Sequence, residues 1–508
     1  MQCFKNLTPT NGFDIENLNS GRQNNYAWSI TELGDYIYVG TGRNILVNII
    51  SAIYANTNLP ALINPTPTVD NQAEIWRYRK DGSLPWQRVY EASLQSEIAG
   101  FRFMINHRPF EGNPCIYAAG FGSTVQILKT TNGVDWFLLD SNSVLQGTSS
   151  RAMVIHNGKL YLATVNELNE SSALLYSSPD PEFYQWQSLI DPSAPGFDPS
   201  LNPQNAIYNM AVFNNRIYVS TIGSDGVQVW RTNGEEPQIN DWTLVVDRGF
   251  GNPANQFTLG IGVFKDHLYV SATKPLPLAW FIPMGCDIIR IDKYDNWQLL
   301  VGGIPSMPLF SSDERRSLSG LGAGFNNPFN VYGWQIQEFQ GKLLISTFDD
   351  SSNMEVILTT LLANREALEQ AFDPAIINII IQVYRCVVEI LRAIRYPLGF
   401  DLYVSEDGIH FRPVFLNGLG NPNNYGGRIL YVDSNNQLYI GTANPFQGCE
   451  VWQTSSLPCN RRGSSCHNHY YSLWQVEQVL SDKQDILNEY MPGIIQFIQK
   501  KVSNETPV

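Results

Sequence analysis

The chain has 508 residues and a formal net charge of -14, and only 16% of its residues are charged, against roughly 25% in an average globular protein. Without a dense run of Lys and Arg it has no groove able to displace counterions from a polyanion, which excludes nucleic acid as a partner. No run of about 18 apolar residues free of charge occurs, so no spanning helix is expected.

In chain order, the start Met1-Gln-Cys-Phe-Lys5 has no basic segment followed by an apolar one, so it does not read as a secretory signal. A cytoplasmic location is expected, with a cell or spore surface left open through a signal-independent route. Cys3, Cys115, Cys286, Cys386, Cys449, Cys459 and Cys466 are few and odd in number, which suits reduced thiols. A strand ending in Thr then recurs: Asp35-Tyr-Ile-Tyr-Val-Gly-Thr41, Lys159-Leu-Tyr-Leu-Ala-Thr164, Arg216-Ile-Tyr-Val-Ser-Thr221, His267-Leu-Tyr-Val-Ser-Ala-Thr273, Lys342-Leu-Leu-Ile-Ser-Thr347 and Gln437-Leu-Tyr-Ile-Gly-Thr442. Pro114-Cys-Ile-Tyr-Ala-Ala119 is a looser copy. An alternating strand precedes each copy, and a Gly-led strand, a polar turn and an aromatic-led strand follow. Such a period marks a repeat architecture whose units bury their faces only by stacking. Units are predicted at about 25–92, 97–140, 148–190, 205–247, 256–302, 331–416 and 424–480. The outer strand of the last is expected at Ser472–Val479, with the N-terminal segment (1–24) as the rival closure.

Three apolar insertions, 42–72, 274–286 and 348–398, fall at second-to-third-strand links, which predicts one crowded face. The first contains a short helix over 44–55. The third reads as a helical hairpin: a helix from a Ser352-x-x-Glu355 capping box to about Phe372, then a second opened by Asp373-Pro374. Asn378, Gln382, Arg385, Glu389 and Arg392 form one polar stripe on that second helix, so the remainder of its surface must be covered. A C-terminal helix opens at Ser481-Asp-Lys-Gln484, with Pro492-Gly493 expected to kink or split it within 481–508.

Ser405-Glu-Asp407-Gly408-Ile-His-Phe411 and Thr130-Thr-Asn132-Gly133-Val-Asp-Trp136 resemble degenerate Asp-box turns, the corners of sialidase-like propellers. The resemblance implies an all-β fold, a seven-bladed β-propeller spanning 25–480 with a helical hairpin in blade 6 and a C-terminal helix. It implies no particular activity, and it makes the Asp and Asn of these turns structural.

First strands line the central channel of such a fold. Aligning the units on the Thr-ended strand stacks Ser29, Arg151, Asn209, Gly260, Gln335 and Arg428 at one level, with Arg102 close by. Arg102, Arg151 and Arg428 could hold a carboxylate by bidentate hydrogen bonds, or pair with neighbours and fill the bore. Sialidases also hold a carboxylate with three arginines, yet no tyrosine–glutamate nucleophile pair is found in the sequence. Asp349, Asp350, Glu167 and Glu170 sit on loops of the inserted face as candidate acids or bases. The segments Gly249–Asn255, Gly320–Asn327 and Gly418–Asn424 repeat between units and read as turns, since no Lys-Ser/Thr follows to make them phosphate loops. His107, His156 and His267 fall on the opposite face, and Cys459-(x6)-Cys466-His467-Asn-His469 lacks a usual zinc spacing. Neither metal nor cofactor is expected.

Three readings stay open: a non-enzymatic recognition or scaffold protein binding a ligand or protein partner on its inserted face, with Ser29, Asn209 and Gln335 among the contacts; a metal-free enzyme in the channel, with Arg102, Arg151 or Arg428 stabilising an anion and Asp349 or Glu167 moving the proton; and, weakest, a protein in contact with membrane lipid.

Overall fold

The structure is a computed structural model that describes residues 4–45, 70–110, 112–167, 169–303, 314–458 and 466–503. It is mostly β, built from antiparallel units. The first unit pairs Asn24–Leu33, Tyr36–Arg43, Glu74–Arg79 and Gln87–Glu91 in that order. Later units run from Gly100 to Leu138, Ser149 to Ser188, Ile207 to Val246, Phe257 to Val301 and Asn330 to Phe415. A last unit holds Gly426–Val432, Leu438–Ala443 and Val451–Thr454. The first strand of each unit lies against that of the next, and Gly426–Val432 returns to Asn24–Leu33, closing a ring.

The expected closure of the last unit is corrected. Its outer strand is the N-terminal Lys5–Asn6, paired with Gln453 and Trp452, so the first and last strands of the chain share one sheet. Residues Cys466–Ser481 form a helix instead. Leu473, Val476 and Leu480 are buried on one side of it, a helical spacing that outweighs the alternation read as a strand.

The repeated Ser-Thr strand end has two physical jobs. The serine spans to the next unit: Ser271 Oγ donates to Gly333 O at 2.5 Å and Ser346 Oγ to Gly427 O at 2.7 Å. The threonine accepts the amide of an acid starting the third strand, as Thr347 Oγ1 does from Asp401 N at 2.9 Å and Thr442 Oγ1 from Glu450 N at 2.8 Å. Those acids are gripped from the link between units. Asn255, Asn330 and Asn424 Nδ2 donate to Asp287, Asp401 and Glu450 at 2.9, 2.8 and 2.8 Å, and also to the carbonyls of Gly249, Gly324 and Gly418 six residues earlier. The middle repeat is therefore Gly324–Asn330, four residues later than its sequence alignment. Gly249 and Phe250 both have positive φ, as do Gly324 and Phe325, a turn that lets the asparagine fold back.

The Asp-box-like corners are built as expected. Asp407 Oδ1 accepts from Ile409 N and His410 N at 2.8 Å each, and Asn132 Oδ1 accepts from Val134 N and Asp135 N at 2.9 and 2.8 Å.

The second and third insertions share one apolar core with the C-terminal helices. Helices Asn353–Ala363, Arg365–Ala371 and Pro374–Ala393 pack with the short helix Leu278–Phe281 and with Cys466–Ser481 and Gln484–Ser503, through Phe281, Ile357, Ile380, Val387, Val476 and Leu487 among others. Pro374–Ala393 is long and apolar enough to cross a membrane by length and composition, but Ile377, Ile380, Ile381, Val383, Tyr384, Val387, Val388 and Leu391 are buried in this core. Asp373 caps that helix, its side chain accepting from Ala375 N at 2.8 Å. Two expectations change: the first helix of the hairpin breaks at Asn364, and Gln484–Ser503 runs through Pro492 unbroken, held by the buried Leu487, Met491, Ile494 and Ile495. Residues 46–55 of the helix expected over 44–55 and the side chains of Cys459, Cys466, His467 and His469 lie outside the described residues.

Candidate functional site

Each first strand carries a β-bulge at one level. Register shifts fall at Trp28, Arg102, Arg151, Tyr208, Leu259, Trp334 and Arg428. A bulge frees one residue from the ladder and re-aims its side chain, and these seven side chains turn into the middle of the ring. They line two cavities at once, one of about 610 Å³ beneath the helices and one of about 410 Å³ on the opposite side. The level read from the sequence is thus one residue out in four units. Ser29, Asn209, Gly260 and Gln335 follow the bulges; Ser29, Asn209 and Gln335 border only the 410 Å³ recess. Ser29 Oγ is moreover committed to Phe101 O at 2.7 Å. A one-residue slip in strand register exchanges faces.

Each arginine among the bulge residues lies against an aromatic bulge residue of a neighbouring unit. The guanidinium of Arg102 lies 4.6 Å from the Trp28 ring centroid, that of Arg151 3.7 Å from Tyr208, and that of Arg428 5.2 Å from Trp334. Such stacking stabilises a partly desolvated cation by about 1 kcal/mol. Two glycines permit it: a Cβ on Gly100 would sit 2.1 Å from the Trp28 ring, and one on Gly426 2.2 Å from the Trp334 ring.

The three arginines are not equivalent. Glu167 spends one oxygen on each of two of them, Oε1 on Arg102 Nη1 and Oε2 on Arg151 Nη2, the latter at 2.9 Å. Burial alone would raise the Glu167 pKa, but Arg102 and Arg151 outweigh it and hold the carboxyl down at about 2. Arg428 has no such counter-ion: its Nε is buried without a partner and its guanidinium makes no ion pair among the described residues. Burial, with repulsion from Arg102 and Arg151, draws its pKa down to about 9, so it remains cationic at neutral pH but uncompensated.

The larger cavity is otherwise aromatic and apolar. Its roof is Leu276, Pro277, Trp280 and Phe281 from the second insertion, and Asn353, Val356, Ile357 and Thr360 from the third. On the wall, the Tyr26 and Tyr425 hydroxyls bond each other and Trp280 Nε1 donates to the Tyr332 hydroxyl. Opposite, the Tyr208 hydroxyl donates to Glu170 Oε1, and burial raises the Glu170 pKa. That Tyr208–Glu170 pair was invisible in the sequence. Its residues lie on different units, and the bulge brings Tyr208 around to meet the loop.

Asp349, expected from its place in the chain to move a proton, does not line the chamber. It is fully buried, bonded by Ser351, Tyr396 and Asn327. Asp350 is buried as well, with Oδ2 unpartnered, and burial raises its pKa.

The sequence matches no known family and no curated protein. Among solved structures, the chain is similar to a puromycin-hydrolyzing peptidase of Mycobacterium tuberculosis at 10% identity and a TM-score of 0.43, over 89% of this chain and 54% of the other. It is also similar to a subtype N10 neuraminidase-like protein of the little yellow-shouldered bat influenza A virus, at 10% identity and a TM-score of 0.34, over 67% and 90% of the two chains. Likenesses this distant carry no argument about activity.

Proposed function

We propose that the antiparallel units are the blades of one seven-bladed β-propeller, and that its lidded chamber binds a small amphipathic anion without transforming it. The observation that supports this reading is Arg428, an uncompensated guanidinium stacked on Trp334 in a cavity whose remaining walls are largely aromatic and aliphatic. A volume of 610 Å³ falls within the roughly 300–1,000 Å³ of small-molecule sites. A carboxylate on Arg428 would form charge-assisted, bidentate hydrogen bonds, while Phe348, Trp280, Val356 and Ile357 take an apolar body. A pure protein scaffold has no use for such a chamber, so the small-ligand form of the recognition reading is favoured.

Calorimetry with a panel of aryl- and alkylcarboxylates, each against its primary amide, tests the reading. Carboxylates are expected to bind at least about tenfold tighter than their amides, and Arg428→Met to remove the difference. Equal affinity of acid and amide, or no binding at all, would refute it.

One pair favours a metal-free enzyme as a second reading. Tyr208 and Glu170 are hydrogen-bonded at the chamber wall, and the environments of Glu170 and Glu167 push their pKa values in opposite directions, the usual arrangement of a proton carrier beside a fixed charge. Under this reading Glu170→Gln keeps ligand affinity and abolishes turnover; product formation undiminished in that variant would end it.

A further inference from the structure

We infer that Glu167 sets the charge of the ligand, making the chamber selective for monoanions over dianions. The inference rests on the anion-binding reading above. Three guanidinium groups converge on this cavity, and alone they would suit a phosphomonoester or a dicarboxylate. Glu167 offsets the charge of two of them: one oxygen meets Arg102 and the other meets Arg151 at 2.9 Å. Arg102 is further occupied by Ser149 Oγ at 3.1 Å and by the face of Trp28, and Arg151 by the face of Tyr208. Donors of Arg102 and Arg151 are left over, Arg151 Nε among them, but only Arg428 lacks a counter-ion among the described residues.

A first negative charge on the fork of Arg428 gains a cation that lacks a counter-ion. A second negative charge on the same ligand would face the Glu167 carboxylate, with Glu170 on the same wall, and no further guanidinium without a counter-ion. Between aromatic and aliphatic walls, like-charge proximity of this kind is unfavourable. Glu167 is thereby a specificity-determining counter-charge, while Arg428 makes the attractive contact; discrimination comes from the repulsive element. The role differs from that of a proton-transfer group, because Glu167 stays ionised down to strongly acidic pH.

The experiment compares phenylpentanoate with phenylpropylmalonate, which share an apolar body and differ by one carboxylate, by calorimetry on the full chain near neutral pH. The parent protein is expected to prefer the monoanion by at least about tenfold. Glu167→Gln frees the two arginines and is expected to shift the ratio of the two affinities by at least about tenfold toward the dianion. A merely structural role would weaken both ligands together and leave the ratio unchanged, which overturns the inference. So does a parent protein that binds the dianion as tightly as the monoanion, a measurement that stands even where Glu167→Gln fails to fold. Absence of binding by either ligand would instead remove the anion-binding reading, and this inference with it.

Discussion

Asp287 and Asp401 stand at the start of the third strand in adjacent units, and each is gripped by the asparagine of a Gly-Phe turn, Asn255 and Asn330, at 2.9 and 2.8 Å. Beyond that shared grip their surroundings diverge. Asp287 meets Lys274 Nζ at 2.9 Å and Arg315 Nη2 at 2.5 Å, and these cations pull its pKa below the ordinary value against the effect of burial. Asp401 meets no cation among the described residues. It accepts from Tyr403 at 3.0 Å and shares Asn327 with Asp349, at 3.4 and 3.3 Å. Burial and the neighbouring carboxylate push its pKa up, to about 8. One backbone device therefore carries a carboxylate that cations pull down in one unit and one that burial and a like charge push up in the next. The difference falls where the lid departs from the sheet, since 349 and 401 bracket the helical insertion.

Removing the carboxylate from the cation-held corner has the largest expected effect. Asp287→Ala strands Lys274 and deprives Arg315 and Asn255 of a buried acceptor. Breaking a buried pair from one side costs about 3 to 5 kcal/mol, read as a fall in the urea midpoint at constant m. A loss below about 1 kcal/mol would mean that the two corners do not differ as described.

The cation-free corner is expected to respond to pH instead. With its folded pKa above the unfolded value of about 3.9, Asp401 binds more protons in the folded chain than in the unfolded one. Its contribution to stability is therefore complete below about pH 4 and is lost as pH rises toward 8. Asp401→Asn mimics the protonated acid at every pH, so the melting-temperature difference between parent and variant should shrink, or change sign in favour of the variant, between pH 4 and 8. A difference constant across that range would refute the assignment. Asp349→Asn sharpens the same contrast with a smaller effect. It removes the like charge that helps raise Asp401, so the decline in stability should move to lower pH.

Which parts of this were readable from the sequence follows from how local each device is. The Ser-Thr strand end, the Gly-Phe/Leu-x-Asn-Pro turns and the Asp-box-like corners complete most of their bonds within a few residues or to the adjacent unit, so their repetition was visible. The bulges were not. Whether Trp28, Tyr208, Leu259 or Trp334 faces the bore depends on a register shift whose freed carbonyl is met from the neighbouring unit, as Ser29 meets Phe101 O and Ser271 meets Gly333 O. Aligning the units on the Thr-ended strand put Ser29, Asn209 and Gln335 there, one residue past the bulge, while in the other units the same alignment fell on the bulged Arg151 and Arg428, with Arg102 close by. Lys5–Asn6 is too short to show any period, which is why the closing strand was assigned to 472–479, where apolar residues are plentiful.

Asp407 supplies the smallest effect and the sharpest control, because its pKa moves the opposite way from that of Asp401 for a reason that can be separated from burial. Its side chain is half exposed, yet bonds from His410, Ile409 and Ser405 hold it below the ordinary carboxylate range. Those bonds act on the ionised form, so their stabilisation is present above the unfolded pKa and is lost on acidification. Asp407→Ala is expected to cost at most about 1 kcal/mol near neutral pH, the net contribution of such turn bonds, and less as pH falls through 4. Melting curves of Asp401→Asn and Asp407→Ala recorded on one pH series should thus diverge: the first variant gains on the parent as pH rises, and the second falls behind it. If both track the parent in the same direction, the carboxylates respond to a global charge effect of this acidic chain, and the local account of the two corners is wrong.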